Sequence, residues 1–174
     1  MILDDRELGL AIRDVSLLRG DFQLSSGARS SVYFDKFLFA TLPSLLRQVA
    51  ARLAERLPAG VERIAAPELG AVPLGTAVSL EADVPLVIVR KKPKEYGSRN
   101  QFEGVLEACE RVAVIEDVIT SGGEAIRTAR LVRDAGAHVL KILAVLDREE
   151  GGPENVRAAG FELEALYRRS DIGA

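Results

Sequence analysis

The feature that most constrains the fold is an alternation of short apolar runs with helical segments, from residue 62 to residue 167. The apolar runs are ERIAA, PLVIVR, RVAVIE, HVLKILAVLDR and FELEALY. Strands that are apolar on both faces and separated by helices lie in a mostly parallel sheet, which helices cover on both sides. The sequence therefore predicts an α/β fold in which a mostly parallel, twisted sheet is flanked by helices.

The first 40 residues follow a different pattern. Helical spacing behind Asp4 predicts an amphipathic first helix, with Leu8, Ile12, Val15 and Leu18 on its apolar face. Ser25-Ser26-Gly27 then separates two short alternating runs, which predicts a hairpin. We interpret about residues 1–40 as a small N-terminal hood on the core.

A second long helix is predicted to begin at Pro43, where proline is favoured. Its apolar face comprises Leu45, Leu46, Val49, Leu53 and Leu57. A chain of 174 residues with 48% hydrophobic content can build one sizeable core. We therefore expect one domain over residues 1–174, with its core at about residues 44–167.

Composition and charge exclude several classes of protein. A net charge of −3 disfavours binding to nucleic acid through phosphate neutralisation. The only cysteine, Cys109, cannot form an internal disulfide or a cysteine metal cage, and we expect it to be structural. We expect the only histidine, His138, to be a surface or edge residue. The acidic N-terminus is unlike a signal peptide, and no apolar run approaches the ~20 residues that span a bilayer. We expect a cytoplasmic protein with no nucleic-acid or membrane partner.

The stretch VAVIEDVITSGGEA, residues 112–125, places acids and a glycine pair after an apolar strand. We expect the strand to end at Ile115, so that Glu116 and Asp117 project from its carboxyl edge. The following turn, with its hydroxyls and glycines, leads into a helix start whose free N–H groups favour an anion. A phosphate cradle beside two carboxylates, which suit a diol or Mg²⁺, indicates a phosphorylated ribose. The alternative is an ordinary strand-to-helix turn with exposed acids.

This stretch resembles the phosphoribosyl diphosphate (PRPP) motif of type I phosphoribosyltransferases, which several enzymes share. Three further segments are similar to orotate phosphoribosyltransferases. FQLSSGARSSVYFDK is similar to their base-site segment, VRKKPKEYGSRNQFEG to their catalytic loop, and LDREEGG to the strand end that carries their orotate-binding arginine. The similarity runs in the family's order from Phe22 to Tyr167, and it implies the type I phosphoribosyltransferase fold.

The resemblance implies a role for each segment in binding PRPP. Glu116 and Asp117 would hold the ribose hydroxyls, and with Lys91 they would form the catalytic set. The 5′-phosphate would be bound by Val118, Ile119, Thr120, Ser121, Gly122, Gly123 and Glu124. The pyrophosphate would be bound by Arg90, Lys91, Lys94 and Tyr96. Lys91 would reach the neighbouring subunit's site, which implies a homodimer with shared active sites.

The same resemblance implies that Arg148, Thr120 and Arg29 bind orotate. Mg²⁺ would be required and held mainly by PRPP, with no protein side chain assigned as its ligand. The implied reaction joins orotate and PRPP to give orotidine 5′-monophosphate and pyrophosphate, in the synthesis of UMP. Its transition state should resemble an oxocarbenium ion, and cations on a closing loop would stabilise the leaving group and exclude water.

The sequence departs from the family pattern at two positions. Leu69 lies where some members have a lysine, and Tyr96 lies where many bacterial members have a histidine. Glu68, beside the pyrophosphate, would need to point away from it or toward Mg²⁺. Two alternatives remain open: a phosphoribosyltransferase for another base, such as a purine, and a PRPP-binding regulator without catalysis.

Overall fold

The N-terminal segment folds into a helix, a hairpin and a short second helix. The computed structural model describes residues 2–23, 27, 29–93 and 101–174. The elements are α1 (Asp5–Ser16), β1 (Leu17–Gln23), β2 (Arg29–Phe34) and α2 (Lys36–Ala40), and β1 pairs antiparallel with β2. Asp4 caps α1 by accepting a hydrogen bond from the Glu7 N–H. The predicted helix and hairpin are confirmed, but Leu18 lies in β1 and is exposed, because α1 ends at Ser16 and leads directly into the hairpin.

Alternating helices and strands make up the rest of the chain. They are α3 (Pro43–Ala54), β3 (Arg63–Pro67), α4 (Ala71–Ala82), β4 (Leu86–Val89), β5 (Phe102–Glu103), β6 (Arg111–Ile119), α5 (Gly123–Asp134), β7 (His138–Asp147), α6 (Gly152–Ala158), β8 (Leu163–Arg168) and α7 (Arg169–Ile172). Helix α3 begins at Pro43, as predicted. Among the described residues, no helix is long and apolar enough to cross a membrane.

The second sheet has six strands in the order β5-β4-β3-β6-β7-β8. Five strands are parallel, and the short β5 pairs antiparallel with β4 at one edge. The predicted α/β fold with a mostly parallel sheet is confirmed. Because ligands of such sheets bind beyond the carboxyl ends of the strands, the ends of β3, β6 and β7 are the places to search for a site.

Apolar residues of β6 pack on both sides of the sheet. Ala113 and Ile115 belong to a core that includes α1, α3 and α4. Val112 and Val114, which alternate with them, belong to a second core with α5 and α6. This double burial explains why the strand is apolar at consecutive positions.

Candidate active site

Glu116 and Asp117 lie inside strand β6, with 5% and 1% of their surfaces exposed. The expectation that the strand ends at Ile115 and that the acids project from its edge is therefore wrong. The cause is the register with β7, which pairs Glu116 with Ala144 and continues to a pair between Ile119 and Asp147. The acids occupy the wall of a cleft.

Backbone N–H groups orient both carboxylates. Glu116 Oε1 accepts a hydrogen bond of 3.0 Å from the Asp117 N–H, and Asp117 Oδ1 accepts one of 2.6 Å from the Val118 N–H. Within the described residues, Glu116 Oε2 has no hydrogen-bond partner. Burial raises the pKa of Glu116 well above its usual value, and the adjacent charge of Asp117 raises it further, whereas Lys36 opposes the shift. A buried acid with a free oxygen can accept a hydroxyl of a ligand.

Lys36 of the hood pairs with the second acid. Its Nζ lies 2.7 Å from Asp117 Oδ2, although the two groups are not aligned as a hydrogen bond. Gly70, which precedes α4, packs against this pair. A Cβ at position 70 would lie 1.8 Å from Asp117 Oδ2 and 2.8 Å from Lys36 Nζ. The loop after β3, the acid of β6 and a lysine of α2 therefore meet at one point.

The turn between β6 and α5, residues 120–122, is short and has the form of an anion site. We call it the anion turn. Gly122 adopts a left-handed conformation with φ of 80°, and α5 begins at Gly123 without a side-chain cap. The first N–H groups of a helix have no partners within the helix and favour an anion. From α6, Asn155 Nδ2 donates a 3.0 Å hydrogen bond to the Ser121 carbonyl and supports the turn. Val118 and Ile119, which were expected in this turn, are the last residues of β6 instead.

Two open clefts meet beside this turn. One, of about 530 Å³, is lined by Tyr33, Phe34, Lys36, Phe37, Lys91, Glu116, Asp117, Val118, Thr120, Glu124 and Arg148. We call it the acid cleft. The other, of about 510 Å³, lies toward the hairpin and is lined by Leu17, Gln23, Ser30, Val32, Tyr33, Phe34, Thr120, Leu146, Arg148, Glu150, Arg169 and Ala174. We call it the hairpin cleft. Both clefts share Tyr33, Phe34, Thr120 and Arg148, so a ligand can extend from one into the other.

Some candidate residues are not brought to these clefts. Arg29 forms an ion pair with Asp21 across the hairpin and lines neither cleft. The hairpin register places Arg29 opposite Gln23, two residues along the strand from Asp21. Arg90 pairs with Glu103 at 3.2 Å and also lines neither. Lys94 and Tyr96 lie outside the described residues. Arg148, by contrast, lies on the shared wall, and its N–H donates to the Ile119 carbonyl at 2.9 Å.

The chain that leaves β4 is held at its base by neighbouring loops. Glu68 Oε1 accepts a 2.7 Å hydrogen bond from the Lys91 N–H, so this acid points to the segment after β4. The Arg90 N–H donates to the Gln101 carbonyl at 2.8 Å. The Arg90 carbonyl accepts from Gln101 Nε2 at 3.2 Å and from Arg127 Nη1 at 3.3 Å. Lys91 follows this anchored base and lines the acid cleft of its own chain.

Sequence reasoning missed the roles of Lys36, Gly70 and the aromatic pair Tyr33 and Phe34. All four lie in segments that it had marked as ligand-binding, but no local spacing connects Lys36 to Asp117. The only available signal was the position of Lys36, directly after the alternating run of the predicted hairpin, which could line a binding cleft.

The described residues contain no group of three or more histidine, cysteine or acidic side chains that could hold a metal ion. Glu116 and Asp117 nevertheless line the acid cleft with two carboxylate side chains. Mg²⁺ is commonly bound by one or two carboxylates together with substrate phosphates. These two carboxylates thus fit a Mg²⁺ ion that enters the cleft bound to a phosphorylated ligand.

The fold and the site define the class of protein. An acid pair on the central strand, an anion turn at the start of α5 and a cleft that joins them have the chemistry that suits a phosphorylated sugar. Residues 44–159 match the family model of the phosphoribosyl transferase domain. The type I phosphoribosyltransferase fold predicted from the sequence is confirmed.

Relatives specify the family further. An orotate phosphoribosyltransferase of Natronomonas pharaonis is 46% identical over 97% of this chain and 96% of its own length. A crystal structure of the Mycobacterium tuberculosis orotate phosphoribosyltransferase has a TM-score of 0.86, is 26% identical and covers 99% of this chain and 100% of its own. The same enzyme in complex with PRPP has a TM-score of 0.80 at 26% identity and the same coverage. This chain belongs to the orotate phosphoribosyltransferases of the phosphoribosyltransferase family.

Proposed function

We infer that this protein transfers the 5-phosphoribosyl group from PRPP to orotate, giving orotidine 5′-monophosphate and pyrophosphate in the synthesis of UMP. The observation that supports this most strongly is the junction of two clefts at Thr120 and Arg148. One cleft has acids for a ribose and a turn for its phosphate, and the other has an arginine for an anionic base. A planar carboxylate is bound best by an arginine, which can donate two parallel hydrogen bonds.

In the proposed complex, PRPP occupies the acid cleft. The 5′-phosphate binds to the turn from Thr120 to Glu124, and the ribose hydroxyls donate to Glu116 and Asp117. Orotate lies in the hairpin cleft against Tyr33 and Phe34, with its carboxylate on Arg148 and a base-edge contact from Thr120. This arrangement holds the nucleophilic nitrogen and the sugar carbon together, which supplies much of the rate enhancement in a bimolecular reaction.

The charge that develops during the reaction has partners in this arrangement. As the bond to pyrophosphate breaks, positive charge grows on the sugar and negative charge on the leaving group. The carboxylates of Glu116 and Asp117 lie on the sugar's side, and Lys91 lies on the side of the leaving group. Lys94 and Tyr96 of the same segment are proposed to act with Lys91. Glu116 and Asp117 would help PRPP to hold Mg²⁺, whose charge would stabilise the leaving diphosphate.

We expect orotate absorbance to fall when the protein is mixed with PRPP and Mg²⁺, and not when either is omitted. Arg148→Ala should raise the KM for orotate about tenfold or more, because a charge-assisted contact is lost, and leave the KM for PRPP within about twofold. Arg130→Ala, which changes an exposed arginine on α5, is the matched control. Consumption of adenine or hypoxanthine, with orotate unchanged, would identify a purine enzyme. Binding of PRPP without consumption of any base would identify a regulator.

We propose that two subunits form a homodimer that shares its active sites. The groove between α3 and α4 supports a second copy as its occupant, because it is open and lined by Leu46 and by Leu80, which is 80% exposed. Arg47 and Glu81 line the same groove. A two-fold axis sets a surface against itself, so these opposite charges can pair across it. Leu80→Glu should convert the dimer to a monomer in light scattering.

Sharing of sites can be tested by mixing two inactive variants. Lys91→Ala and Asp117→Asn should each lose most activity. If Lys91 serves the neighbouring subunit, a refolded equal mixture should recover about a quarter of wild-type activity, because half of the dimers are mixed and each has one intact site. Lys91 also lines the cleft of its own chain. A mixture that stays inactive would therefore assign Lys91 to its own subunit and contradict sharing through this residue.

A further inference from the structure

Lys36 lines the acid cleft, and its salt bridge with Asp117 leaves part of its side chain available to a ligand. Its Nζ lies 2.7 Å from Asp117 Oδ2, yet 39% of the side chain remains exposed, and the residue lines the acid cleft. Gly70 lies on its other side, where an added Cβ would be 2.8 Å from the ammonium. The ammonium therefore lies between the ribose-binding acid and the loop that follows β3.

That loop has no cation of its own. Residues 67–71 contribute one charged side chain, Glu68, which is acidic and accepts a hydrogen bond from the Lys91 N–H. Leu69, its neighbour, is 66% exposed and apolar. A diphosphate next to this loop would meet backbone and acids unless a cation came from another element. Lys36, from α2, lies next to this loop, because a Cβ added at Gly70 would be 2.8 Å from its ammonium.

The charge balance of the cleft leads to the same residue. Three acids line it, Glu116, Asp117 and Glu124. Arg127 pairs with Glu124 at 2.5 Å, which leaves the two acids of β6 to be balanced. Three cations also line the cleft, Lys36, Lys91 and Arg148. Arg148 pairs with Glu150 at 3.0 Å, whereas Lys36 lies 2.7 Å from Asp117 Oδ2. A highly anionic ligand can bind beside Asp117 only where a cation separates the two negative charges.

We propose that Lys36 is a diphosphate-binding residue, whose ammonium bridges Asp117 and the 1-diphosphate of PRPP and replaces a cation that the loop of residues 67–71 lacks. This inference rests on the proposed function, since it names a further contact of the same substrate. An ammonium has three donors. The ammonium can stay paired with Asp117 while its donors turn to phosphate oxygens. Lys36 thus holds Asp117 ready for the ribose hydroxyls and attracts the leaving group at the adjacent carbon.

The test uses Lys36→Met, which removes the charge and keeps the length of the side chain. We expect the KM for PRPP and the Kd for inorganic pyrophosphate, measured with Mg²⁺ by calorimetry, to rise about tenfold. The KM for orotate should change less than about twofold. Lys36→Arg should retain most of the pyrophosphate affinity. Lys141→Met is the matched control, because Lys141 is also ion-paired, at 2.6 Å from Glu164, but lies outside the acid cleft.

A second variant distinguishes the loss of a diphosphate-binding charge from a loss of stability, because it returns an ammonium to the site without restoring Lys36. Lys36→Met combined with Leu69→Lys supplies an ammonium from the neighbouring loop, and it should recover pyrophosphate affinity. The inference is overturned if Lys36→Met binds pyrophosphate as wild type does. It is also overturned if both KM values rise equally as the urea midpoint falls, since this would indicate a structural role alone. Should wild type consume no orotate, the proposed function fails, while the pyrophosphate titration still tests Lys36.

Discussion

Gly70→Ala is expected to lower kcat/KM for PRPP by at least about 100-fold, because a displacement of about 1 Å in a catalytic site can have an effect of this size. The added methyl group would lie 1.8 Å from Asp117 Oδ2, which is far inside any permitted contact. Asp117 is 1% exposed and is hydrogen-bonded to the Val118 N–H, so it has little room to move away. The loop, the acid or Lys36 must shift.

The requirement for glycine at this position comes from space and not from backbone conformation. Gly70 has φ of −64° and ψ of −36°, which alanine adopts readily. The variant should therefore fold, with a far-ultraviolet circular dichroism spectrum like that of wild type and a loss of about 1–3 kcal/mol in the free energy of unfolding. Gly20→Ala in β1 is the control, since its Cβ would meet only the ring of Phe22, at 3.1 Å. Wild-type kinetics for Gly70→Ala would show that the contact of Gly70 with Asp117 has no part in PRPP binding.

Glu116→Gln is expected to weaken PRPP binding roughly 100-fold and at the same time to stabilise the fold. The loss in binding follows because glutamine cannot ionise, whereas Glu116 can give up its proton when the ribose hydroxyls bind, and hydrogen bonds to ionised groups are worth up to about 3 kcal/mol. The gain in stability follows from the raised pKa of Glu116, which burial causes first and the charge of Asp117 second. Glutamine has a similar shape and carries no charge to be desolvated.

The gain in stability from Glu116→Gln is expected to increase with pH. A carboxyl whose pKa is raised in the folded state binds its proton more tightly there, so the stability that it contributes is lost as pH rises through the folded-state pKa. The advantage of Glu116→Gln in urea unfolding should therefore grow as the pH rises from the unfolded-state pKa toward the raised folded-state pKa, by about 1.4 kcal/mol for each unit between the two values. An advantage that stays constant over this range would contradict a raised pKa.

Glu110→Gln is the matched control, because its pKa shift has the opposite sign. Arg63, at 2.5 Å, lowers the pKa of Glu110. Stability from this acid is present above its unfolded-state pKa and is lost as pH falls through the folded-state value. Glu110→Gln should thus destabilise the protein near neutral pH and leave PRPP affinity unchanged, since Glu110 lies at the opposite end of β6 from the anion turn.

The sequence was a good guide wherever one physical pattern determined the outcome. Apolarity on both faces predicted the parallel sheet, since consecutive residues such as Val114 and Ile115 serve two different cores. Pro43 marked the start of α3, and Gly122 marked the turn before α5. Each of these signals lies in the segment that it describes.

The sequence failed wherever the partner came from a distant segment. The end of β6 is determined by its pairing with β7, which the sequence of β6 alone does not show. The sequence therefore predicted a strand end before Glu116 and Asp117, whereas both acids are buried inside the strand. Lys36 meets Asp117 across 80 positions of the chain, and no spacing rule relates them. Arg29 was assigned to the base by resemblance alone, whereas in the structure Asp21 on the facing strand holds its guanidinium.

The insert between β4 and β5, residues 91–100, has its two ends held together by the backbone. The hydrogen bond from the Arg90 N–H to the Gln101 carbonyl brings the two ends of the insert together. The fold is therefore already closed across residues 91–100, and the entropy of closing a loop depends only weakly on its length. Exchange of the insert for one of different length or charge should alter turnover and leave the free energy of unfolding nearly unchanged. Catalytic rate and thermal resistance can thus evolve independently in this part of the protein.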